Sequence, residues 1–109
     1  MIRTRLAALA VACFATHAAV AEALPALADA QQAYHQGQYR RSLALFERLA
    51  AARDAEAAEC AGFMLLAGET MYGLQVRRDT ERAKRYLLQA AGSGRPAAEF
   101  LLNMIERTD

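Results

Sequence analysis

The feature that most constrains the fold is an internal match, in which the second half of the chain repeats the residue spacing of the first half. The displacement between the two halves is 41 positions. The matching positions are Leu49-Ala50, Arg53 and Ala57 in the first half, and Ala90-Ala91, Gly94 and Ala98 in the second. A repeat of this period, built from helices, is typical of a solenoid in which each hairpin buries its apolar face against the next one.

The apolar residues recur at helical spacing, and no segment shows the alternation of a half-buried strand. The sequence therefore predicts an all-α protein built from antiparallel helical hairpins. The expected helices cover residues 26–36, 39–52, 55–71, 80–92 and 96–106. Residues expected to end or begin these helices are Gly37, Arg53-Asp54, Asp79 as an N-cap, Gly92, Gly94 and Pro96.

The third predicted helix differs from the others because it is apolar on more than one side. Phe63, Met64, Leu65 and Leu66 are consecutive. A helix without a polar face is stable only between neighbours. We therefore expect it in the middle of the stack.

The first 21 residues predict a secretory signal. Arg3 and Arg5 precede an apolar run, and Ala19-Val20-Ala21 supplies small residues before a cleavage site between Ala21 and Glu22. The apolar run is far shorter than the roughly 20 residues that a membrane anchor needs. A lipoprotein signal with lipid on Cys13 is the other alternative, although the residues before Cys13 match its consensus poorly. We expect an exported protein, periplasmic or secreted, with a lead-in at 22–26 and one repeat domain at 27–109.

Cleavage would leave 88 residues with 11 basic and 12 acidic side chains and no membrane span. This balance argues against a nucleic-acid partner, which selects for a large basic excess.

Few residues of the mature chain suit catalysis, and we expect no enzyme activity, no metal and no cofactor. His35 is its only histidine and Cys60 its only cysteine, short of the ligands that zinc requires. Glu56 and Glu59 suit the first turn of a helix, where carboxylates complement the helix dipole. Cys60 is either a reactive or bridging thiol or a buried small hydrophobe, and the sequence favours the second.

The second half carries a recognisable series of residues. They are Gly73, Val76, Asp79, Arg82-Ala83, Tyr86, Ala90-Ala91, Gly94 and Ala98. This series resembles a Sel-one-like repeat, a member of the tetratricopeptide-like class. The first half resembles a divergent first unit of that family through Tyr34, Gly37, Tyr39, Ser42, Phe46 and Leu49-Ala50. Two features depart from the family pattern: Gln75 replaces a loop glycine, and the segment between Ala57 and Asp79 is too long, so that either Gly68 or Gly73 could be the loop glycine.

The resemblance implies a short right-handed α-solenoid of about two and a half repeats that binds another protein, one of the cell envelope, as a scaffold or adaptor. In such repeats the first helix of each hairpin lines the concave face. The residues expected there are Gln31, Tyr34, His35, Glu69 and Tyr72.

Alternatives remain open for two of these residues and for the function. Tyr34 could instead pack on Leu43 and Phe46, and Tyr72 could brace the long loop. The exposed end of the stack also suits self-association, because repeats stack only on their neighbours. A small cell-envelope hydrolase with an unrecognised site is the alternative function.

Overall fold

A computed structural model of the protein describes residues 23–108, and all regular structure in this part of the chain is helical. The prediction of an all-α fold is confirmed. The predicted signal sequence, with Ala21 and Glu22, lies outside the described residues, as does Asp109. The helices are α1 (Leu27–His35), α2 (Tyr39–Ala51), α3 (Ala55–Ala67), the short α4 (Glu69–Tyr72), a 3-10 turn (Gly73–Gln75), α5 (Thr80–Gly92) and α6 (Pro96–Thr108).

Aspartate N-caps start two of the helices. An Asp54 carboxylate oxygen accepts a hydrogen bond from the Ala57 amide at 2.9 Å, which satisfies a free donor in the first turn of α3. Asp79 does the same for the Arg82 amide of α5 at 3.1 Å, as the sequence predicted.

The single helix predicted over residues 55–71 is wrong, because the chain breaks at Gly68. This glycine has a φ of +55°, and a Cβ there would lie 2.5–2.6 Å from the backbone and Cβ of Arg78. The break lets the end of α3 approach the extended segment that leads into α5. There the Asp79 amide donates a hydrogen bond to the Leu65 carbonyl at 2.9 Å. Gly73 also has a positive φ, +63°, but nothing lies near it. The segment between Gly68 and Gly73 therefore forms a short helix, α4, between two glycine breaks.

Helix α3 occupies the centre of the fold, as its apolar sequence predicted. It packs against α2, α5 and α6, and its contact with α5 is the most extensive between any two of the described helices. Gly62 allows this close approach, since a Cβ at that position would lie 2.7 Å from the Leu87 side chain. Ala83 of α5, which is fully buried, faces the same glycine.

Small and apolar residues fill the core in two adjoining clusters. The first contains Ala30, Phe46, Leu49, Ala57, Ala61, Met64, Tyr72 and Val76. The second contains Ala50, Ala58, Leu87, Ala90, Ala98 and Ile105. Buried Ser42 satisfies its hydroxyl by donating to the Ala30 carbonyl at 2.9 Å, which joins α2 to α1.

Polar side chains link α2 to α5, the two helices related by the internal repeat. The Tyr86 hydroxyl donates to Glu47 at 2.8 Å, and Arg82 forms an ion pair with the same carboxylate. Gln89 donates to the Ala50 carbonyl at 2.7 Å, at the far end of α2. These contacts hold α2 against α5.

Gln75 fastens the long loop to the turn between α1 and α2. Its side-chain amide donates to the Gly37 carbonyl at 2.9 Å, and its oxygen accepts from the Tyr39 amide at 2.8 Å. The second bond satisfies a free donor at the start of α2, where no local side chain caps the helix. Gln75 therefore has a structural role at this turn.

Candidate functional site

An open, mainly apolar groove of about 340 Å³ lies between α1, α3 and α6. Its lining residues are Gln31, Tyr34 and His35 from α1; Glu59, Cys60, Phe63 and Met64 from α3; Ala97 and Leu101 from α6; and Phe46 from α2. The volume is at the lower end of the range typical of binding pockets, roughly 300–1,000 Å³. It has room for a few side chains of a ligand.

Helical spacing explains why these residues share one surface. Each helix contributes positions three or four apart, which lie on the same side of a helix. Buried Met64 and Phe46 form the inner part of the groove, whereas the Phe63 ring is 37% exposed. Phe63 is therefore an apolar surface that a ligand could cover.

Three tyrosines support the α1 side of the groove. The hydroxyls of Tyr34 and Tyr72 are hydrogen-bonded at 2.9 Å, and the rings of Tyr34, Tyr39 and Tyr72 have centroids 4.8–5.8 Å apart. Burial raises the pKa of the Tyr72 phenol, and the hydrogen bond with Tyr34 raises this pKa further. The Tyr72 phenol thus remains neutral, and its hydrogen bond holds Tyr34 in place.

Of the five residues that the sequence predicted on the concave face, the structure brings together three. Gln31, Tyr34 and His35 line the groove. Tyr72 lies behind Tyr34 and is only 4% exposed. Glu69 is exposed outside the groove, where it accepts a hydrogen bond from the Arg78 amide at 3.1 Å. Backbone hydrogen bonds from Glu69 itself and from Arg78 lower the pKa of this carboxyl, and the contact fastens the long loop.

One end of the groove carries charged groups around Cys60. Arg95, just before α6, donates two hydrogen bonds to the Glu59 carboxylate, at 3.0 and 3.2 Å. Burial, followed by the negative charges of Glu56 and Glu59, raises the pKa of the Cys60 thiol to about 11. The thiol is half-buried and protonated at neutral pH. It therefore behaves as the small hydrophobe that the sequence favoured.

His35 and Cys60 line the same groove, yet no hydrogen bond joins them. A nucleophilic thiol needs a lowered pKa or an adjacent base, and Cys60 has the opposite environment. Among residues 23–108, no group of three or more histidine, cysteine or carboxylate side chains is arranged to hold a metal ion.

Sequence reasoning did not assign Phe63, Ala97 and Leu101 to the groove. A signal existed for Phe63, since the third predicted helix is apolar on a side that the core does not need. Ala97 and Leu101 lie among several apolar residues of the last predicted helix, and the sequence alone does not show which of these residues a neighbouring helix covers.

No protein-family model matches the chain, and the comparisons with curated proteins and with solved structures also gave no match. A search of the described helices for one that is long and apolar enough to cross a bilayer found none.

Proposed function

We propose that this chain is an exported interaction module, a scaffold or adaptor that binds a protein of the cell envelope through the groove between α1, α3 and α6. In this proposal the helices form a short right-handed solenoid of about two and a half Sel-one-like repeats. Helices α1, α3 and α6 are then the first helices of successive hairpins, and α2 and α5 are the second.

The observation that carries the proposal is the common surface of α1, α3 and α6. These helices are far apart in sequence, yet one apolar groove contains residues from each of them. Helical repeat proteins bind their partners on concave surfaces made by successive repeats. Tyr34 and Phe63 supply aromatic surface there, and aromatic residues are enriched among those that contribute most to binding.

The alternative function is a small cell-envelope hydrolase with an unrecognised site, and among the groove residues His35 and Cys60 are the ones whose side chains could form a nucleophilic pair. The raised pKa of Cys60 and the missing hydrogen bond between the two residues favour binding over covalent chemistry.

Site-specific photo-crosslinking in the cells of origin tests the proposal. A benzophenone amino acid would replace Phe63 in the groove or, as a control, Leu88 on α5, which is 62% exposed. We expect one dominant crosslinked protein from position 63 and none of that mass from position 88. Equal crosslinking from both positions, or from position 88 alone, would refute the groove as the binding surface.

Export is a separate part of the proposal, supported by the charged start, the apolar run and Ala19-Val20-Ala21. N-terminal sequencing of the protein recovered from the periplasm or the medium should start at Glu22. Recovery from the cytoplasm with Met1 intact would contradict export and leave the groove untouched.

A further inference from the structure

The helices that line the groove and the helices behind it carry opposite net charge. Helices α1, α3 and α6 together carry five carboxylates and one arginine, a net charge of −4. Helices α2 and α5 carry six basic and two acidic side chains, a net charge of +4. The near-neutral total thus combines acidic helices, α1, α3 and α6, with basic helices, α2 and α5.

The acidic side chains of α1, α3 and α6 are Asp29, Glu56, Glu59, Glu99 and Glu106. Of these, Glu59 lines the groove, whereas Asp29 lines a separate polar depression with Arg41. The basic groups of the rear helices are Arg40, Arg41, Arg48, Arg82, Lys84 and Arg85. Glu47 pairs with Arg82 and Glu81 with Lys84, so both carboxylates of the rear helices are already engaged. No such pairing occurs within α3, where Glu56 and Glu59 repel each other across one turn.

At the groove end that contains Cys60, Glu59 lines the groove and is held by an arginine, whereas Glu56 lies just outside the lining. Glu59 is held by both nitrogens of Arg95 that face it. Glu56 lies one turn before Cys60 on the same side of α3, and its charge acts on Cys60 and on Arg95. Glu56 is partly exposed and forms no salt bridge with a described residue. Two carboxylates, Glu56 and Glu59, and one guanidinium, Arg95, therefore leave a net charge of −1 at this end of the apolar groove.

We infer that the groove takes a short apolar peptide segment with a lysine or arginine beside its apolar side chains, the apolar part on Phe63 and Leu101 and the cation near Glu56. The inference rests on the proposed function and specifies the chemistry of its ligand. Charge complementarity of this kind speeds association and excludes acidic segments, for which like charges are brought together. The groove volume of about 340 Å³ suits a few side chains and not a whole folded element.

Selection from a display library of short random peptides on the full mature chain tests the inference. We expect the enriched peptides to combine large apolar residues with a lysine or arginine at a fixed spacing. The best peptide, made synthetically with a fluorophore, should bind the Glu56→Gln variant about two- to fivefold more weakly, as expected for a partly exposed ion pair. Added salt should weaken binding to the native protein more than binding to this variant.

Further variants, each with a matched position on the rear helices, separate the inference from the function on which it rests. Glu81→Gln removes the same charge from the rear helix α5 and should leave the affinity unchanged. Phe63→Ala should weaken binding strongly, with Leu88→Ala as its rear-side control. Circular dichroism would verify that each variant is folded.

The other outcomes each overturn a different statement. Apolar peptides without a basic preference, or with an acidic one, overturn the inference but leave the groove as a binding surface if Phe63→Ala weakens them. Peptides that bind Phe63→Ala and the native protein equally overturn the proposed function. Sedimentation of the free protein as a dimer, with no peptide enriched, would show that a second copy occupies the groove and overturn the inference.

Discussion

The phenol oxygens of Tyr34 and Tyr72 lie 2.9 Å apart and join α1 to the short helix α4, although 38 residues separate them in sequence. Tyr34 is part of the groove, and Tyr72 stands behind it in the core. The hydrogen bond therefore connects the candidate binding surface to the segment that the two glycine breaks create. Helix α4 thus helps to fix the position of Tyr34 in the groove.

This hydrogen bond should be measurable as a coupling energy. Tyr34→Phe and Tyr72→Phe each remove one partner without changing the packing of the ring, and we expect a coupling of about 0.5–1.5 kcal/mol between them. Urea unfolding of the two single variants and the double variant gives the value. Tyr39→Phe is the control, since its ring belongs to the same cluster while the described contacts include no hydrogen bond from its hydroxyl. Strict additivity of the two substitutions would mean that the bond contributes nothing.

The buried aromatic ring of α2 should matter far more for stability than the exposed ring of α6. Phe46 is 2% exposed, so Phe46→Ala should lower the free energy of unfolding by about 3–5 kcal/mol. Phe100 is 65% exposed, and Phe100→Ala should change it by less than about 0.5 kcal/mol. If Phe46→Ala fails to fold, the milder Phe46→Leu gives the comparison. If Phe46→Ala lowers the free energy of unfolding no more than Phe100→Ala does, Phe46 is not part of the core.

The two glycine breaks provide a matched pair, because Gly68 and Gly73 have nearly the same backbone conformation. Replacement by alanine should strain the backbone equally at both sites, by about 1–3 kcal/mol. Only at Gly68 does the added Cβ also meet Arg78 backbone atoms, 2.6 Å away. Gly68→Ala should therefore lower the thermal midpoint clearly more than Gly73→Ala. Equal losses would show that the chain does not pass close to Gly68.

Stability should fall at high pH because of Cys60. Burial raises the pKa of this thiol from 9.0 to about 11 in the folded protein. Between these values the unfolded chain ionises its thiol while the folded chain does not, so the unfolded state is favoured. Stability due to Cys60 is therefore complete below pH 9 and is lost as the pH rises towards 11. Chemical unfolding from pH 8 to 11 should show a smaller loss in Cys60→Ala, and identical curves would contradict the burial of the thiol.

Much of the fold was predictable because local signals agreed with one another. Asp54 and Asp79 cap helices as their sequence context indicates, and the apolar run of α3 correctly predicts its central position. The interruption at Gly68 was not predictable, since a glycine inside an apolar helical pattern is often tolerated. Its cause is the return of the chain at Arg78, which depends on tertiary packing.

The candidate site was predictable only in part, for a related reason. Helical periodicity identifies which residues share a side of a helix, and it placed Gln31, Tyr34 and His35 together. It does not show which apolar residues a neighbour covers. Tyr72 is buried through the bend at Gly68, and Phe63 is left open because α1 and α6 stand apart on either side of α3. The charge difference between groove and rear helices becomes visible only when the helices are assigned to their sides.

The central claim, that the groove between α1, α3 and α6 is the binding surface, is tested most directly by amide chemical-shift mapping. The isotope-labelled mature protein would be titrated with the best peptide from the display selection. We predict that the largest shifts fall in residues 31–35, 59–64 and 97–101, which are consecutive in space and not in sequence. Shifts concentrated on α2 and α5, around Arg85 and Leu88, would contradict the claim.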